Sequence, residues 1–228
     1  LRPYCAEEPA ISAMTSDARV QVEESLTRIV LKPTGTVSKT GVLFQPGAKV
    51  EARAYAAVLR PLAEAGYQVV IVKQPLSIAF LSLGAFGSAQ DDYPSITSWI
   101  VGGHSLGGVA AAMEADDHDS DAESAVRGLL LYAAYPADDI SGSLTASVLS
   151  ISGSNDGLAT PEKIEDSKEN LPEGSQFTVV EGGVHAFFGD YGPQSGDGSP
   201  TISHDEARTQ ISGASVTFAD LLAAQSAR

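Results

Sequence analysis

The sequence predicts an α/β domain, a mainly parallel twisted sheet of about seven or eight strands with helices on both faces. Three observations carry the prediction. Short apolar runs alternate along the chain with segments of helical spacing. Some runs, such as Val69 to Val72, are continuous, as in strands buried on both sides. One run, Trp99-Ile100-Val101, leads through Gly102 into Gly103-His104-Ser105-Leu106-Gly107 and then a small-residue stretch, Gly108 to Met113. That context reads as strand, sharp turn and helix.

Taken in order, residues 1–18 are mixed, with Ala10, Ile11 and Met14 as anchors onto the body. Val20 and Val22, then Arg28 to Leu31, form two early strands. Val42-Leu43-Phe44 is the third, closed by Gln45-Pro46-Gly47. A helix covers roughly 51–65, with Ala54, Val58, Leu62 and Ala65 on one face and Gly66 as its stop. After the strand Val69 to Val72, residues 74–98 read as irregular, holding an apolar stretch at Ile78 to Leu83 and an acidic turn at Asp91-Asp92. The helix after Ser105 runs to about Ala115, and the acidic run Asp116 to Asp121 is expected to be a solvated loop. Gly128 to Ala134 and Ser147 to Ser152 are further strands. Thr160-Pro161-Glu162 supplies a cap, a first-position proline and a first-turn acid. Phe177 to Val180 is the last strand. Ser203 opens the final helix in a capping box with Glu206, its apolar face formed by Ala207, Ile211, Ala214, Phe218, Leu221 and Leu222. No repeat or linker interrupts this order, so residues 1–228 read as one domain.

The net charge of −15 argues against nucleic acid and anionic membrane surfaces as partners. One cysteine, Cys5, excludes an internal disulfide. No stretch is apolar and long enough to span a bilayer. The chain starts at Leu1 rather than Met, so an upstream segment is expected to have been removed. An extracytoplasmic location, secreted or anchored, follows from that expectation, with the cytoplasm as the alternative.

The pentapeptide around Ser105 carries the chemistry. A turn this sharp holds its central residue in a strained conformation and lifts the hydroxyl above the sheet. Positions two before and two after the serine crowd each other, so glycine suits both. A serine hydroxyl becomes a nucleophile only with a base to take its proton.

With this elbow the chain resembles the α/β-hydrolase superfamily, and within it the small, cap-less bacterial branch of esterases and dienelactone-hydrolase-like proteins. The resemblance implies a Ser-His-Asp triad in the chain order nucleophile, acid, histidine, each after a strand. Of the four histidines, His185 is the candidate base, since it follows the last strand through Gly182-Gly183. His104 lies inside the elbow, His118 in the acidic run and His204 in the first turn of the final helix. Asp156, in Gly153-Ser154-Asn155-Asp156-Gly157, resembles the superfamily's acid loop; Asp138 and Asp139 are the alternatives. The oxyanion donors are expected to be the backbone N–H of Leu106 and one from the loop after the third strand. The family's His-Gly is replaced there by Gln45-Pro46-Gly47-Ala48. Proline has no N–H, so Ala48 is the candidate, with Lys49 behind it.

The short segment between Ala134 and Ser147, where larger relatives insert a cap, implies an open site. Residues 186–203 form a long loop beginning at His185. Its Phe187, Phe188 and Tyr191 either line a pocket or pack beneath the loop; Gly47 and His104 are further candidates for the lining. Asp190 and Asp197 match no cation-binding loop, and neither metal nor cofactor is expected. The expected function is hydrolysis of a small carboxylic ester through an acyl-enzyme. The alternatives are a thioester, amide or lactone substrate on the same fold, or a binding protein that has kept the fold without catalysis.

Overall fold

Alternation within the apolar runs sorts their side chains onto two cores, one on each side of a single sheet. The computed structural model describes residues 3–74, 84–120 and 125–226. Its strands are β1 (Val20–Glu24), β2 (Arg28–Pro33), β3 (Thr40–Gln45), β4 (Val69–Val72), β5 (Ser98–His104), β6 (Ala125–Tyr132), β7 (Ser147–Gly153) and β8 (Gln176–Val180). They form one eight-stranded sheet in the order β1-β2-β4-β3-β5-β6-β7-β8. β2 pairs antiparallel with both β1 and β4; every other pairing is parallel. The helices are α1 (Ala10–Ala13), α2 (Ala56–Glu64), α3 (Ala85–Asp92), α4 (Leu106–His118), α5 (Pro161–Asp166) and α6 (His204–Ser226).

On one face Phe44, Ile71, Ile100, Leu130 and Ile151 pack with Val58 and Leu62 of α2 and Ile211 and Phe218 of α6. Their sequence neighbours Leu43, Val70, Val101 and Leu129, with Val148, point the other way onto Phe86 of α3 and Ala111 and Ala115 of α4. Each large side chain so buried contributes about 1.5–3 kcal/mol. The helix punctuation holds: Gly66 takes φ 103. Lys163 N–H donates to the Thr160 hydroxyl, and Ser203 and Glu206 exchange their backbone N–H bonds.

Four expectations need correction. Within 74–98, residues 85–92 are helical, because Phe86 and Ala89 fall one turn apart and bury against this core; the Phe86 ring meets Trp99 edge-on at 5.8 Å. The stretch Ile78 to Leu83 lies outside the described residues, as does Asp121. The acidic run is not all solvated loop, since α4 continues through Asp116 to His118, and Asp119 is buried, accepting both the N–H and the hydroxyl of Thr145. Along α6, Leu221 is 49% exposed, whereas Ser212 and Ser215 are buried. Those serines are satisfied inside, Ser212 by the Val58 carbonyl and Ser215 by the Tyr132 hydroxyl. At the other end of the chain Ala10 is buried and Met14 packs on the core, but Ile11 is 52% exposed. That segment is tied down by backbone instead, Tyr4 bonding Lys49 and Glu51 on either side of Val50.

Because β3 and β5 to β8 run parallel, their C-terminal ends lie along one edge. The loops after β3, β5, β7 and β8 therefore gather there.

Candidate active site

Ser105 joins β5 to α4 at φ 53, ψ −125, a region costing a non-glycine residue about 1–3 kcal/mol. Its surroundings enforce that posture. A Cβ on Gly103 would stand 2.2 Å from the Gly107 carbonyl oxygen, and one on Gly107 would stand 2.2 Å from that of Gln45. Both positions require glycine. Ser105 N–H is held by the Tyr132 carbonyl at 3.0 Å.

Asp156 sits in the loop after β7. Its Oδ1 accepts the N–H groups of Leu158 at 2.7 Å and Ala159 at 2.8 Å, which leaves Oδ2 free to face His185. Oδ2 lies 2.9 Å from His185 Nδ1, and both residues are buried. A carboxylate only accepts, so Nδ1 carries the imidazole proton and Nε2 is left with its lone pair. That Nε2 is buried and, among the described residues, has no hydrogen-bond partner. The alternative acids are elsewhere. Asp138 is exposed, and Asp139 spends Oδ1 on the N–H and hydroxyl of Ser141.

Ser105 and His185 line the same cleft, of about 220 Å³, with Leu106, Val109, Ala133, Ala134, Tyr135, Leu158 and Ala159. Gly47, His104, Phe187 and Phe188 do not contribute to this cleft, a correction to their expected place in the lining. Phe188 and Tyr191 are buried beneath the loop, and Phe187 stacks on His204 with ring centroids 4.4 Å apart. The His204 imidazole is shifted below its ordinary value, chiefly by burial, against the pull of Asp190. The fourth ring, His118, packs on Phe86 at 5.0 Å.

Gly47 and His104 instead belong to the scaffold of the elbow. Tyr55 accepts the Gly47 N–H at 2.9 Å and lies 2.8 Å from His104 Nδ1. Burial raises the Tyr55 phenol, which keeps its proton, so that proton goes to Nδ1. His104 is correspondingly neutral, held well below its ordinary value by burial and then by His185. With the Gly47 N–H engaged, Ala48 is the next donor in the loop, and among the described residues no hydrogen bond uses its N–H. Leu106 stands at the first position of α4, where the N–H has no acceptor within the helix.

A second support is absent from the sequence reading. Gln45 Nε2 donates to both carboxylate oxygens of buried Glu114, 3.2 and 3.1 Å away on α4. Gln74 then donates to Gln45 Oε1 and to the Pro46 carbonyl. Burial pushes the Glu114 carboxyl up to about 8. Ala133, φ 46, is another strained residue on the rim. Among the described residues, no three His, Cys, Asp or Glu side chains converge as a metal site, and no helix is long and apolar enough to cross a membrane.

The comparisons agree with the fold. Residues 41–209 match the profile of the alpha/beta hydrolase family. A dienelactone hydrolase from Anabaena variabilis superposes with TM-score 0.67 at 17% identity, over 87% of this chain and 96% of its own. An esterase from Rhizomucor miehei gives TM-score 0.65 at 14% identity, over 95% and 86%. An ester-hydrolase from the Lake Arreo metagenome gives 0.64 at 15%, over 96% and 88%. At such identities the likeness is one of fold. No curated protein matches the sequence.

Proposed function

The chain belongs to the alpha/beta hydrolase family, and on that premise we propose that it is a serine hydrolase acting on small carboxylic esters through an acyl-enzyme. The observation that carries this reading is the 2.9 Å contact between Asp156 Oδ2 and His185 Nδ1, with Ser105 lining the same cleft as that histidine.

In the proposed reaction Ser105 Oγ attacks the ester carbonyl while His185 Nε2 takes its proton. Asp156 holds the imidazole tautomer and stabilises the imidazolium that forms. The N–H groups of Leu106 and Ala48 receive the oxyanion, each such donor being worth about 10²–10³ in rate. The tetrahedral intermediate collapses, and His185 returns the proton to the departing alcohol. Water then attacks the acyl-serine with the same base, releasing the acid. No cofactor enters. Val109, Ala133, Ala134 and Ala159 make the cleft wall small and apolar, which favours short acyl groups.

A fluorophosphonate probe and nitrophenyl esters of increasing chain length test the reading. Wild type should be labelled covalently and Ser105→Ala should not, with turnover highest on the shortest esters. A folded wild type that resists the probe at neutral pH and turns over no ester would sink it in favour of a binding protein. Acyl-thioesters, amides and lactones in the same panel separate the bond types.

A further inference from the structure

Asp197 lies 12 positions beyond His185 in the same long loop, yet it binds both the backbone of His185 and the separate loop that carries Asp156. Its Oδ1 accepts the backbone N–H of His185 at 3.0 Å, of Gly157 at 3.2 Å and of its neighbour Gly198 at 2.7 Å. Its Oδ2 accepts the N–H of Ala186 at 2.8 Å. Gly157 directly follows Asp156. One carboxylate thus clasps the acid loop after β7 to the histidine loop after β8.

Glycines make the clasp tight. A Cβ on Gly198 would fall 1.7 Å from the Asn155 carbonyl oxygen, and one on Gly157 would fall 2.7 Å from that of Gly196. The two loops therefore meet backbone to backbone. The Asn155 side-chain amide adds a bond to the Ser199 carbonyl at 2.9 Å, and Thr201 N–H donates to the Gly182 carbonyl at 2.9 Å.

We propose that Asp197 is a positioning residue for the reaction proposed above. It sets the orientation in which His185 meets Asp156 and turns Nε2 toward Ser105. The inference rests on that reading of the three residues. A bond between two side chains fixes a distance but leaves the imidazole direction to the backbone that carries it. Asp197 fixes that backbone by holding two consecutive N–H groups, those of His185 and Ala186. A charged acceptor makes these bonds roughly twice as strong as neutral ones.

The test compares Asp197→Ala and Asp197→Asn with wild type on nitrophenyl acetate, with active sites counted by the fluorophosphonate. Alanine removes every acceptor. Asparagine retains an oxygen for the donors to Oδ1 and loses the bond to Ala186. For Asp197→Ala, kcat per titrated site should fall about 100-fold or more, the scale of a misplaced catalytic group. KM should stay within about threefold, since substrate binding is untouched. Asp197→Asn should lose roughly tenfold. The exchange-protected proton resonance of His185 Nδ1–H should vanish in the alanine variant and return in the asparagine one.

A folded alanine variant with wild-type kcat per site, or with that resonance intact, overturns the inference. If alanine prevents folding, a wild-type kcat in Asp197→Asn overturns it equally. A wild type that neither turns over ester nor takes the probe refutes the functional reading instead, and the proton resonance still reports on the clasp.

Discussion

The Tyr55 hydroxyl, buried immediately before α2, lies 2.8 Å from Nδ1 of His104, the residue before Ser105. The same oxygen accepts the Gly47 N–H. One phenol thus ties the loop proposed to supply an oxyanion donor to the elbow. Tyr55→Phe leaves Gly47 without an acceptor and His104 without a donor, both buried. Stability should fall by about 1–3 kcal/mol for the orphaned groups, read by thermal or urea unfolding. Turnover should fall with it, since Ala48 follows Gly47 directly.

Asp156→Asn offers the imidazole an amide able to donate, so the tautomer is no longer enforced. We expect kcat to drop by up to about 10⁴ while the fold persists. Asp139→Asn, on an exposed turn, should leave kcat unchanged. Steady-state kinetics on a nitrophenyl ester decide between them, and a reversed pattern would remove Asp156 from the mechanism.

Glu114 predicts a pH dependence of stability. Its folded-state value near 8 exceeds the ordinary 4.5, so between those values the folded chain holds more protons than the unfolded one. Stability therefore declines as pH rises from about 4.5 to about 8, with a ceiling of about 1.4 kcal/mol per pH unit. Glu114→Gln should flatten that slope. Urea titrations at pH 5, 6.5 and 8 check it, and an unchanged slope in the variant would refute the assignment.

Two glycines should respond in opposite directions. Gly107→Ala drives a Cβ against the Gln45 carbonyl and should cost about 1–3 kcal/mol of stability, as overpacking does, together with most activity. Gly213 lies exposed within α6 with nothing within 4 Å of its would-be Cβ. Gly213→Ala should raise stability by about 0.5–1 kcal/mol. Melting curves of both variants against wild type settle the pair.

Much of this architecture is legible in the sequence because its determinants are local. Gly103 and Gly107 flank Ser105. Gly153 precedes the Asp156 turn, and Gly182-Gly183 leads into His185. Gly103, Gly107 and Gly153 mark places where backbone approaches backbone, Gly182 takes φ 78, and glycine leaves a visible trace of each need. The continuous run Val69 to Val72 likewise announces a strand covered on both faces.

What escapes reading is held by contacts with no local trace. Tyr55 meets His104 across 49 positions and Gln45 meets Glu114 across 69. A lone tyrosine or glutamine at a helix or strand end has no spacing to betray it. Asp197 is passed over for a different reason. Its ligands are backbone N–H groups, invisible to any search for converging side chains. The aromatic residues after His185 fit a wall or a core equally well by composition, and only the path of the loop buries Phe188 and Tyr191 while leaving Phe187 half-buried.

The twisted backbone of Ser105 sets heat resistance and turnover against each other at a single position. A glycine there would relax the chain and remove the hydroxyl in one step. A library screened for survival of heating alone should therefore enrich Gly at residue 105, yielding sturdier but inert proteins. Such an inert form, with the rest of the cleft undisturbed, would be the natural vessel in which to capture an intact substrate.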